Sequence, residues 1–118
     1  MAVEESIFKS IKALLGPDAD YDVFDPDILI FINTALSTLT QLGIGPASGF
    51  RITGETETWS DLLGDYEDLE SVKSYIYLKV RLLFDPPSNS AVMNAYQETC
   101  NELEWRLNVA VDPSRLDM

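Results

Sequence analysis

An all-α single domain, spanning residues 1–118, is expected from three features of the chain. Apolar residues recur at helical spacing in four long stretches, a glycine or proline follows each stretch, and the one segment of different character is a Gly-rich loop. The four helices are expected at about 4–15, 25–42, 66–84 and 88–109. At 118 residues the chain can bury one core but cannot divide into two independently stable ones.

Ile7, Phe8, Ile11, Leu14 and Leu15 form the apolar stripe of the first helix, and Gly16-Pro17 stands where a left-handed cap and a stop belong. Asp25-Pro26 opens the second: the Asp25 carboxylate is placed to cap free N–H groups, Pro26 pre-sets a helical φ, and Phe24 is placed to staple onto Leu29. Ile28, Leu29, Ile32, Ala35, Leu36, Leu39 and Leu42 make its core stripe. Residues 43–58 then hold four of the six glycines, with Pro46, and read as a long loop whose alternation around Phe50 and Ile52 suits a short β-hairpin. Trp59 to Leu63 suits one added helical turn before Gly64.

The third long helix is apolar over most of its circumference, with Leu69, Val72, Ile76, Val80 and Leu83 on one side and Tyr75, Leu78 and Leu82 beside them. That composition marks it as the central helix. Asp85-Pro86-Pro87 ends it, because neither proline can continue the backbone ladder. Ser88 or Ser90 is the expected cap of the fourth helix, whose stripe is Val92, Met93, Tyr96, Cys100, Leu103 and Leu107. Residues 110–118 read as a tail, with Pro113 barring further helix.

Composition removes most chemistries. Eight basic against twenty acidic residues give a net charge of −12, which repels both the phosphate backbone of nucleic acids and an acidic membrane surface. The basic residues are scattered, so no cluster can displace counterions together. The longest unbroken apolar run, Ile28 to Ile32, is far below the ~20 residues of a membrane span, and no basic stretch with an apolar core opens the chain, which reads as soluble and unsecreted. With one cysteine and no histidine, an internal disulfide, a cysteine zinc site and the commonest general base are missing. Asp18, Asp20 and Asp22 imitate the start of a calcium loop, but Val23 stands where glycine is required and Leu29 where a bidentate glutamate belongs. No cofactor, metal or catalytic role is expected.

Three features point instead to protein partners. From Ile28 through Phe50 there is no charged residue, so the outward side of the second helix carries Asn33, Thr34, Ser37, Thr38, Thr40 and Gln41, with Ile30 among them. Short neutral side chains lose little solvation and little rotamer entropy when covered. Trp105 projects away from the fourth helix's stripe, beside Asn94, Glu98 and Asn101, and needs a cover from the tail or from a neighbouring subunit. Lys79 falls within the apolar sector of the third long helix, where its ammonium must either reach water or meet a carboxylate. The simplest alternatives are a weakly charged solvated face, a tail folded over Trp105 and a lysine stem that snorkels.

A set of residues carries a family likeness: Phe24-Asp25-Pro26-Asp27-Ile28-Leu29, Phe50-Arg51-Ile52, Glu57-Thr58-Trp59, the run from Val72 to Pro87, and Glu104-Trp105-Arg106-Leu107. In these the chain resembles the small head-tail connector, or head-completion adaptor, proteins of long-tailed phages and prophages. The likeness extends over nearly the whole chain. It implies a structural virion protein at the head–tail junction, assembled in the host cytoplasm as a ring on the portal protein. Such a ring extends the DNA channel and offers a surface to a further connector, a stopper or the tail, while DNA passes without specific binding. On that reading Asn33, Ser37, Gln41, Lys79 and Trp105 are candidates for subunit contacts. Phe50, Arg51, Ile52, Arg115 and Leu116 are candidates for portal or partner docking. The charge leaves a second class open, an acidic DNA mimic that inhibits a host nuclease or DNA-binding protein, and a third, a small helical scaffold or regulator.

Overall fold

The computed structural model describes residues 5–16, 18, 20–64 and 68–111. Among them are five helices: α1 (Ile7–Leu15), α2 (Asp25–Leu42), α3 (Trp59–Leu63), α4 (Leu69–Phe84) and α5 (Ser90–Val111). The four expected long helices are present, and the suggested turn at Trp59 is the short fifth, α3. Helix α4 is central, packing against α1, α2 and α5. The core runs from Ile7, Phe8 and Ile11 of α1 through Ile28, Ile32, Leu36 and Leu39 of α2 to Val72, Tyr75, Ile76 and Val80 of α4, closed by Trp59 of α3 and Cys100 and Leu107 of α5.

Helix ends follow local chemistry, with three corrections. Ser6 caps α1 by accepting from the Lys9 N–H at 3.2 Å, and Gly16 closes it at φ 108°. At α2 the Asp25 carboxylate does not cap: it meets the buried Lys12 Nζ at 2.8 Å and ties α2 to α1. Phe24, rather than stapling inward, is exposed and stacks its edge on Phe84 with centroids 5.3 Å apart. Helix α2 ends on Gly43 at φ 94°, where the Ile44 N–H reaches back to Leu39 O at 2.9 Å and the Ile44 side chain drops into the core. Thr58 and Asp61 form a reciprocal capping box on α3. Asp68 caps α4 by accepting from the Ser71 N–H at 3.1 Å, so the described helix begins at Leu69; Tyr66 lies outside the described residues. For α5 the cap is Asn89, not either serine, because its Oδ1 accepts from the N–H groups of Ala91 and Val92 at 2.9 and 3.2 Å.

Two expected core stripes are shorter than their periodicity. Leu83 is exposed at the end of α4, and in α5 no residue before Cys100 is buried, so Val92 stands in solvent. The expected hairpin does not form: no strand is present among the described residues of the 43–58 segment. Its would-be ladder groups have other partners. Asn33 Nδ2 donates to Ile52 O at 3.0 Å, Asn33 Oδ1 accepts from the Ile52 N–H at 2.8 Å, and Glu57 Oε2 accepts from the N–H and hydroxyl of Thr53. A single antiparallel bridge, Ser6 to Thr58, fastens the far end of the loop to the start of α1, where Ile7 N–H would otherwise lack an acceptor.

The loop's first turn depends on Gly45, which sits at φ +86°, a conformation that strains any residue with a side chain, and an added Cβ would stand 2.9 Å from Leu62 Cδ1, which would have to shift. Gly45→Ala should therefore cost about 1–3 kcal/mol in chemical denaturation. An alanine that left the midpoint unchanged would mean that this loop and α3 do not hold each other.

Candidate protein interfaces

The outward side of α2 is a neutral surface, as expected, but one residue expected on it turns inward. Ile30, at 60% exposure, Thr34, Ser37 and Gln41 recur along one exposed line of the helix. Thr34 donates its hydroxyl to Ile30 O at 3.0 Å and Thr40 its own to Leu36 O at 3.1 Å, so both present methyl groups with their donors already used. Asn33 is buried, its amide committed to Ile52, and this removes it from the subunit-contact candidates. Ile52 likewise lies in the core.

The same pairing lays residues 48–53 alongside α2. Phe50 is half-buried, while Arg51 stays exposed between two shallow grooves, both bounded by Ser37 and Arg51 itself. One, about 500 Å³, runs toward Ile30, Thr34 and Thr53; the other, about 540 Å³, runs toward Gln41, Ser48 and Phe50. Arg51 is thus a lone cation on a neutral face, and no ion pair involving it forms among the described residues.

On α5, Trp105 is 58% exposed, and Asn94, Glu98 and Asn101 beside it are exposed as well. Glu102 and Arg106 flank that line and pair with each other at 3.6 Å. Arg115 and Leu116, and the tail that would cover Trp105, lie outside the described residues.

Lys79 lies half-buried in a groove between α4 and α5 with Leu82, Gln97, Cys100 and Glu104. No carboxylate of a described residue comes within ion-pair distance of it. The acid that shares this groove is otherwise engaged: Tyr75, buried in α4, donates its phenol to Glu104 Oε2 at 2.8 Å and links α4 to α5. Burial pushes the Cys100 thiol up, against the pull of the Lys79 ammonium, so it stays an unreactive core residue.

Burial and the Glu104 carboxylate also push the Tyr75 phenol well above its ordinary value of 10.0. The folded state therefore keeps a proton that the unfolded chain loses above pH 10, and stability contributed by this contact should decline as pH rises beyond that point. Tyr75→Phe should cost about 1.5–3 kcal/mol near neutrality and should flatten the alkaline decline when denaturant midpoints are compared below and above pH 10.

A further surface escaped the sequence reading. Tyr21, Phe24 and Phe84 cluster with Leu15 around a groove of about 510 Å³, Tyr21 and Phe24 having centroids 5.9 Å apart. Three apolar residues within the aspartate-rich 18–27 stretch, Tyr21, Val23 and Phe24, were the available signal. No group of His, Cys, Asp and Glu side chains able to hold a metal occurs among the described residues, and no helix is long and apolar enough to cross a membrane.

A helical chain with exposed neutral and aromatic surfaces calls for comparison with assembly proteins, and the family model for phage connector proteins matches residues 7–114. The chain belongs to the phage connector protein family. No curated protein and no solved structure matches it. Membership favours a structural head–tail connector role over an inhibitor built as a DNA mimic, and it matches every described helix of the molecule.

Proposed function

We propose that this connector closes into a ring on the portal protein at the head–tail junction of the virion, extends the DNA channel, and presents a docking surface to the next connector, a stopper or the tail. The observation that carries this reading is the family match over residues 7–114. The surfaces support it. A ring needs two different patches on each subunit, and the neutral side of α2 and the Trp105 side of α5 are two such patches. Ser37, Gln41 and Trp105 are the proposed subunit contacts, with Lys79 offered to an acid of a neighbour. Phe50, Arg115, Leu116 and the Tyr21–Phe24–Phe84 cluster are left for axial partners, the portal among them. A net charge of −12 per subunit suits a conduit, because carboxylates facing the lumen keep DNA from adhering during packaging and ejection.

The test is to purify the chain alone and together with its portal protein, measure mass by light scattering, and look for annuli by negative-stain microscopy. Rings on the portal are the expected result, whether or not rings form alone. A monomer in both preparations would overturn the proposal.

A further inference from the structure

Resting on the ring reading, we infer that the subunit contact is antiparallel and heterologous: the Asn94–Glu98–Asn101–Trp105 face of α5 on one copy seats against the Ile30–Thr34–Ser37–Gln41 face of α2 on the next, with Arg51 opposite Glu98. Both faces recur at the same spacing, steps of four, three and four residues, and each covers about 16 Å of helix at 1.5 Å per residue. Laid antiparallel, they match residue for residue. Trp105 falls over Ile30, Asn101 over Thr34, Glu98 over Ser37 and Asn94 over Gln41.

The charges choose this pairing. Two copies at −12 each repel, so they meet where repulsion is least, and the uncharged 28–50 stretch supplies such a face. Its one cation, Arg51, borders both grooves beside Ser37, the position that receives Glu98 in this register. Glu98 is exposed and is the acid on its line of α5, whereas Glu102 already faces Arg106. A parallel arrangement would put Trp105 near Gln41 and bring Glu98 to Thr34, away from Arg51. The antiparallel one also aligns the helix macrodipoles favourably.

The groove toward Ile30 suits the remaining side chain. It offers an exposed isoleucine, the Thr34 methyl and the Arg51 stem to an indole that is more than half bare in the single subunit. Large aromatic side chains that fill a groove on a partner are often among the residues that contribute most to an interface's affinity.

The experiment is charge exchange, read on rings formed with the portal protein. Arg51→Glu and Glu98→Arg should each raise the concentration needed for assembly by at least about tenfold, the equivalent of about 1.4 kcal/mol. The double variant Arg51→Glu/Glu98→Arg should return it to near the wild-type value. Both residues are exposed, and circular dichroism melts of all variants should match. In a Cys100→Ser background, Thr34→Cys with Asn101→Cys should give a ladder of covalent oligomers on oxidation. If wild-type rings form but either single variant assembles normally, or the double is no better than the singles, the contact is overturned and the ring reading stands. Covalent dimers from Thr34→Cys alone would likewise overturn it, since they report like meeting like. Failure of the wild-type protein to form rings with the portal would overturn the ring reading first.

Discussion

Trp59→Ala should cost about 3–5 kcal/mol, a large part of the about 5–15 kcal/mol by which a domain of this kind is stable. Trp59 is wholly buried at the start of α3, and it ties that helix to residues 5–10, about fifty residues earlier in the chain. Its Nε1–H donates to Ser10 Oγ in α1 at 3.2 Å, while the Ser10 hydroxyl in turn donates to Ser6 O at 2.7 Å. Its backbone N–H donates to Glu5 O at 3.2 Å, beside the Ser6–Thr58 bridge. Alanine would remove the apolar surface and leave a cavity under α1. Trp59→Phe separates the two effects: it keeps most of the packing but removes the N–H that Ser10 Oγ accepts, while the Ser10 hydroxyl still donates to Ser6 O, and should cost about 1–2 kcal/mol. Urea denaturation measures both. Hydrogen exchange at the amides of Ile7 and of position 59 should accelerate in the alanine variant more than at Ile76 in α4, because the α1 junction opens before the central helix does. A loss below about 1 kcal/mol for Trp59→Ala would mean that the α1–α3 junction contributes little to folding.

Much of this architecture is legible in the chain because helix ends are local events. Gly16 adopts the left-handed cap that its position requires, Pro86-Pro87 stops α4, and the turn suited to Trp59 to Leu63 is α3. What escapes local reading depends on partners far along the chain. Asp25 looks like a cap until the fold brings Lys12 to it, and periodicity alone credits Leu83 and Val92 to a core that does not extend as far as they do. The candidate surfaces divide in the same way. A run without charges and a tryptophan off its stripe are visible in one dimension, so the exposure of Ser37, Gln41 and Trp105 was legible there. The Tyr21–Phe24–Phe84 cluster was not, since Phe84 joins it only after α4 packs against the start of α2.

The misplacement of Asn33 has the largest consequence for how the surface is built. It flanks the α2 core stripe between Leu29 and Leu36, close enough to turn inward once a polar partner is supplied, and that partner is the Ile52 backbone, 19 residues on. Leucine at this position keeps nearly the same volume and removes both hydrogen bonds. Each of the two Ile52 groups then loses its partner in a buried site, and about 1–3 kcal/mol per group puts the expected cost of Asn33→Leu at about 2–4 kcal/mol after partial relaxation toward water. The loss should be local. Exchange of the Ile52 amide and proteolytic cleavage between Pro46 and Arg51 should rise, while the α4 amides change only with global stability. Because Arg51 owes its place beside Ser37 to the Ile52 pairing, ring assembly on the portal should suffer as well, at temperatures where the subunit remains folded. A variant that loses stability yet assembles at wild-type concentrations would show that the neighbouring subunit can order this loop by itself. Full retention of both would show that the Asn33–Ile52 pairing is not what shapes the face.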